Sequence, residues 1–223
     1  MVGRPSVIRV FLVDDHRLVL DGLVSSFGRS PDVEVVGTAM TLRELADHGI
    51  QAVDRPDVVL MDHHLPDGTG IDGCRLVTAR WPGARIIMLT ATGDDATRLA
   101  AIEAGADGYL LKASRFETVL RAVHAAFDHE QLLPASVIGD LARRLADRPT
   151  ERVLTQPLTP RELTVLKALS LGGSTSGIAS DLGLRQGTVR VHIEAIRRKF
   201  HVSSRLEAVS AAIQHHIVEV PGA

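Results

Sequence analysis

The sequence predicts an α/β fold, a doubly wound five-stranded parallel sheet, followed by a separate all-α unit. Three observations carry this. Short aliphatic runs alternate with amphipathic stretches five times over the first half of the chain, the pattern of strands joined by helical crossovers. The runs are continuously apolar, as strands covered on both faces by helices are. Beyond residue 157 only helical periodicities remain.

The expected strands are residues 7–13, 33–39, 58–61, 85–89 and 108–111. After the first, Leu20, Leu23, Val24 and Phe27 recur at helical spacing, and Thr41-Leu42-Arg43-Glu44 is a capping box that opens the next helix. Segments 70–81, 94–104 and 115–128 supply three more helices, which right-handed crossovers distribute over both faces of the sheet. The pattern then loosens into a linker, 129–156, with a helix expected at 135–146 before the polar run Asp147-Arg148-Pro149-Thr150-Glu151-Arg152. Four helices follow, at 159–171, 177–182, 185–200 and 205–216. Thr159-Pro160-Arg161-Glu162 sets an N-cap, a Pro at N1 and a Glu at N3 in order, and Ser204-Arg205-Leu206-Glu207 repeats the capping box. Two short helices joined at Gly183-Leu184, the second one basic, make a helix-turn-helix. The expected domains are 1–128, the linker 129–156 and 157–223.

Composition narrows the function classes. A single cysteine, Cys74, excludes a disulfide-built fold and a cysteine-rich zinc site and points to a reducing compartment. No run approaches the roughly 18 apolar residues of a membrane span, and no leader is legible, so a cytoplasmic protein with no membrane contact is expected. The net charge of −2 conceals two halves of opposite sign: residues 1–150 hold 16 Lys and Arg against 21 Asp and Glu, and residues 151–223 hold 9 against 6. Between Arg185 and Arg205, six basic residues face only Glu194, the footprint of a polyanion partner.

The strand ends locate the chemistry. Asp14-Asp15, Asp62, Thr90 and Lys112 follow or close the first, third, fourth and fifth runs, so a parallel sheet brings them to one edge. Three adjacent carboxylates require a cation, and an oxygen-only set suits Mg²⁺. Beside a cation and an ammonium, a carboxylate is equipped to attack a phosphoryl group and form an acyl phosphate. Asp62, single and central, is the candidate nucleophile; Asp14 and Asp15 are candidate metal ligands.

In the basic helix, Val189, Ile193, Ile196 and Phe200 form the apolar stripe, and Arg190, Glu194, Arg197 and Arg198 the opposite face. Arg190 suits guanine or phosphate, Thr188 phosphate, and Arg197, Arg198 and Lys199 the DNA backbone or solvent. Glu194 either accepts a hydrogen bond from cytosine or pairs with Arg198 or Arg190 at a spacing of four; the pairing is favoured.

Val13-Asp14-Asp15-His16, Leu60-Met61-Asp62 with Leu65-Pro66-Asp67-Gly68, Leu89-Thr90-Ala91 and Gly108-Tyr109-Leu110-Leu111-Lys112 together resemble the receiver domain of bacterial response regulators. Leu158-Thr159-Pro160-Arg161-Glu162, Ile178-Ala179, Gly187-Thr188-Val189-Arg190-Val191-His192 and Ser204-Arg205-Leu206-Glu207-Ala208 resemble the helix-turn-helix of the NarL/FixJ class, with Phe200-His201 where Leu-Gly is usual. The resemblance implies that Asp62 is the phosphoacceptor and that a sensor histidine kinase is the donor. It implies Mg²⁺ held by Asp15, Asp62 and the backbone carbonyl of His64, with Asp14 acting mostly through water. It further implies that Lys112 contacts the phosphoryl group, that Thr90 swings onto it, that Tyr109 rotates inward, and that the active protein binds DNA as a homodimer. The protein expected is a transcriptional regulator and not an enzyme. A haloacid-dehalogenase-like phosphotransferase also uses a strand-end Asp, but it carries a second Asp two residues on, where this chain has His64.

Overall fold

Parallel strands buried on both faces need neighbours in register, and the computed structural model supplies them. It describes residues 7–51, 55–91, 95–128, 130, 132, 154–202 and 204–218. The chain divides into two compact units, Met1–Phe127 and Asp128–Ala223.

The first unit runs β1 Ile8–Val13, α1 Arg17–Phe27, β2 Val33–Ala39, α2 Leu42–Gln51, β3 Val58–Asp62, β4 His64–Leu65, β5 Gly68–Thr69, α3 Gly70–Arg80, β6 Arg85–Thr90, α4 Asp95–Glu103, β7 Gly108–Leu111 and α5 Phe116–Phe127. Its sheet is parallel in the order β2-β1-β3-β6-β7. All of β3 and β6 is buried, as their continuous apolar runs require. Phe11 packs on Trp81 with ring centroids 5.4 Å apart on one side of the sheet, and Phe27 meets Phe116 edge-on at 5.0 Å. The pairing of β1 with β2 slips one residue after Val10; there Gly37 admits the Phe11 ring, which a β-carbon would meet at 2.5 Å.

Two expected strands are one residue longer than their apolar runs, so Asp62 and Thr90 belong to the sheet itself. The two-residue antiparallel pair β4–β5 was not expected, because two residues show no periodicity around the Pro66-Asp67 turn. At α2, Thr41 Oγ1 accepts from the Glu44 N–H at 3.0 Å, but the Glu44 carboxylate accepts from the Met40 N–H at 2.6 Å and not from that of Thr41. The helix expected at 135–146 lies outside the described residues.

The second unit contains α6 Pro160–Ser170, α7 Thr175–Asp181, α8 Gln186–Phe200 and α9 Arg205–Gln214. Both expected capping boxes form, Thr159 with Glu162 and Ser204 with Glu207. Helix α7 begins two residues before the expected start because Ser174 caps it, its Oγ accepting from Gly177 N–H at 3.0 Å. The turn into α8 needs Gly183, at φ +63°. Val165, Leu166, Leu169, Ile178, Val189, Ile193, Ile196 and Phe200 form the core under the basic helix.

Candidate functional site

The register that aligns the strands also gathers the site. Met61 pairs with Val13, Asp62 with Leu89 and Thr90 with Leu111, so the strand-end residues meet at the carboxyl edge. Lys112 Nζ lies 2.7 Å from Asp62 Oδ2 and 2.8 Å from Asp14 Oδ2. The main-chain N–H of Lys112 donates to the Thr90 carbonyl at 2.7 Å, which fixes β7 against β6 at the pocket. Asp14, Asp62 and Thr90 are buried, and Asp15 is partly open. One ligand atom from each of Asp14, Asp15, His16 and Asp62 falls within 4.8 Å of the others.

The loop after Asp62 is held on both sides. Gly70 N–H donates to the His63 carbonyl at 2.8 Å, and a β-carbon at Gly70 would sit 2.2 Å from the Asp62 carbonyl oxygen, so only glycine lets α3 start this close. The Asp67 carboxylate accepts from Leu42 N–H at 2.8 Å and Arg43 N–H at 2.9 Å, capping α2; the Leu42 bond leads in holding Asp67 below the ordinary carboxylate value. The antiparallel pair fixes the backbone at His64.

Charge in the pocket is unbalanced. Burial raises the Asp62 carboxyl above its ordinary value; the Lys112 bond opposes this, and repulsion from Asp14 reinforces it. At Lys112, burial favours the neutral amine, but the bonds to Asp14 and Asp62 outweigh it and hold the ammonium above its ordinary value. One ammonium faces three carboxylates. Asp15 Oδ1 is buried 2.5 Å from His16 Nδ1, and the excess of carboxylate oxygens over the one ammonium fits a hard divalent cation. Tyr109 is half-buried beneath Arg98, whose guanidinium carbon lies 5.6 Å from the ring centroid. Nothing in the sequence singled out Arg98, because the contact joins α4 to β7.

In the second unit the apolar stripe of α8 is buried as expected. Thr188 and Arg198 are exposed. Arg190 is half-buried, its guanidinium 2.6 Å from Asp128 Oδ1. Two expectations meet a different arrangement. Glu194 pairs with Arg197 at 2.8 Å, three residues on, and not with Arg198 or Arg190. Arg197 itself is buried, not a member of the open face. Lys199 Nζ bonds Glu162 Oε2 at 2.7 Å and the Pro157 carbonyl at 2.9 Å, so it ties α8 to the start of α6. Burial raises the Glu162 carboxyl, but the Lys199 bond and the Thr159 bonds outweigh that and lower it. Val191, an apolar residue outside the Val189-Ile193-Ile196-Phe200 stripe, is 67% exposed.

Residues 10–124 match the family model described as response regulator receiver domain, and residues 156–212 the one described as bacterial regulatory proteins, luxR family. The chain is 34% identical to the transcriptional regulatory protein LiaR of Bacillus subtilis (strain 168), over 95% of this chain and all of that one. It is equally 34% identical to the DNA-binding transcriptional activator DevR/DosR of Mycobacterium tuberculosis, over 97% and 99% of the two chains. A crystal structure of a LuxR-family two-component response regulator from Aurantimonas sp. SI85-9A1 superposes with TM-score 0.53 at 32% identity, covering 62% of this chain and 98% of that one. The chain therefore belongs to the two-component response regulators that join a receiver domain to a LuxR-type helix-turn-helix domain and regulate transcription.

Proposed function

We propose that Asp62 accepts a phosphoryl group from a sensor histidine kinase and that this modification controls binding of double-stranded DNA by α8. The observation that carries the reading is the convergence of Asp14, Asp15, Asp62 and Lys112 at the carboxyl edge of the sheet. An Asp62 carboxylate oxygen attacks phosphorus, the bond from phosphorus to the donor imidazole nitrogen breaks, and the donor histidine leaves neutral once it is protonated. Asp14, Asp15, Asp62 and the His64 carbonyl would hold Mg²⁺, which supplies neutralisation of the transferring oxygens. Lys112 supplies the second positive charge. Its present partners, Asp14 and Asp62, keep the ammonium over the acceptor. The Thr90 hydroxyl then reads the new charge, and the half-buried Tyr109 follows inward. The chemistry stops at a stoichiometric self-modification, so the protein works as a switch and not as an enzyme.

Thr188, Arg190, Glu194, Arg197 and Arg198 form the proposed DNA-binding set. Thr188 and Arg198 reach phosphate directly, Arg190 does so in exchange for Asp128, and Arg197 acts by holding Glu194. The domains are proposed as receiver 1–128, linker 129–156 and DNA-binding unit 157–223, with the active form a homodimer. A cytoplasmic location accords with the single cysteine and with the lack, among the described residues, of a helix long and apolar enough to cross a membrane.

Asp62→Asn tests the acceptor. With Mg²⁺ and a small acyl phosphate, the wild-type chain gains one base-labile phosphoryl group by intact mass, and the variant, which keeps the shape but loses the nucleophilic oxyanion, gains none. Labelling at undiminished yield would move the acceptor elsewhere.

A further inference from the structure

We infer that Glu194 reads DNA sequence: its carboxylate accepts a hydrogen bond from the N4 amino group of a cytosine in the major groove, so the binding site carries a required C·G pair. The inference rests on the proposed binding of double-stranded DNA by α8 and adds what that helix selects.

The buried stripe of α8, Val189, Ile193, Ile196 and Phe200, runs at spacings of four, three and four. Gly187, Val191, Glu194 and Arg198 repeat those spacings two residues earlier, roughly 160° around the helix, and so form the ridge opposite the core. Gly187, Val191 and Arg198 are exposed, and a β-carbon at Gly187 would meet only open space. A helix that held DNA by its phosphates alone would carry cations along this ridge. Arg198 is the one cation on it, and a glycine, a valine and an acid occupy the rest. Small, apolar and hydrogen-bond-accepting groups suit base edges instead. Glu194 sits in the ridge with its side chain 43% exposed. Arg197, 10% exposed, reaches it from the core side and donates to Oε1 at 2.8 Å; among the described residues Oε2 accepts no hydrogen bond. The pair therefore orients the carboxylate and offsets its charge near phosphates, and it leaves Oε2 for a donor in the groove. A carboxylate only accepts, and the major groove offers two donors, cytosine N4 and adenine N6. Adenine sets its N7 acceptor beside the donor, where it repels a carboxylate; cytosine itself presents the donor alone.

The test uses the full chain, treated with Mg²⁺ and a small acyl phosphate, and a pool of duplexes of random sequence. Wild type should select a site with a C·G pair whose replacement weakens binding about tenfold. At that pair Glu194→Gln should prefer A·T, because a glutamine amide bonds adenine N6 and N7 together. A second measurement leaves the protein unaltered and removes the donor from the DNA: N4-methylcytosine at that position should weaken binding about tenfold for wild type and less than about twofold for Glu194→Ala. If Glu194→Gln keeps the wild-type site and binds every duplex more tightly, or N4-methylcytosine weakens both proteins equally, Glu194 reads no base and the inference is wrong. If wild type binds DNA without selecting a sequence, the inference is equally wrong, while DNA binding stands. If the treated chain binds no duplex at all, the reading of α8 as the DNA-binding helix falls and takes the inference with it.

Discussion

His201 closes α8 in the left-handed conformation, with φ +51°, its N–H donating to the Arg198 carbonyl and that of Val202 to the Arg197 carbonyl. A β-carbon is strained there, whereas glycine is not. His201→Gly should therefore stabilise the second unit by about 1 kcal/mol, after allowing for the greater freedom glycine gives the unfolded chain. Denaturant unfolding would show a raised midpoint with an unchanged slope; a lowered midpoint would mean that the imidazole does more than cap. The departure from Leu-Gly was visible in the sequence, but its backbone cost appears only with the dihedral. Asp62, Thr90 and Lys112 were legible because each closes or follows an apolar run. The capping of α2 by Asp67 was not, since that bond spans two loops distant in sequence.

Helix α8 shows why one basic face need not act as a unit. The sequence separates its apolar stripe from its charged side, but it does not give the width of the stripe, which depends on how closely the neighbouring helices pack. Arg197 falls beneath that boundary and Arg198 outside it. Arg198→Ala should leave stability within about 0.5 kcal/mol and reduce the slope of log affinity against log salt by about one. Arg197→Ala should instead lower the unfolding midpoint, because it removes the packing of a buried side chain together with its pairing to Glu194. Identical effects in the two variants would erase the distinction. The Glu162–Lys199 pair adds a pH dependence. A folded-state value below the ordinary 4.5 contributes stability that is present above 4.5 and is lost as pH falls through the lowered value. Unfolding of wild type and Glu162→Gln from about pH 6 to about pH 3 should show the wild-type advantage shrinking below 4.5; a constant gap would contradict the pairing.

The charge split between the two units is legible in the sequence: acidic in the receiver unit, basic in the helix-turn-helix unit. Alternation of strand and helix gave the sheet, because crossover handedness leaves few topologies for it. What the sequence left unread were contacts between elements far apart in the chain, such as Arg98 over Tyr109 and Arg190 on Asp128. The proposed phosphorylation of Asp62, coupled to DNA binding, is what links the roles of the two units. The direct measurement incubates the full chain with Mg²⁺ and a small acyl phosphate, then takes intact mass and DNA affinity from the same sample, using a duplex selected from a random pool. Gain of one phosphoryl group together with tighter binding, both lost in Asp62→Asn, is the predicted result. A mass gain with unchanged affinity, or tighter binding that persists in Asp62→Asn, would contradict it.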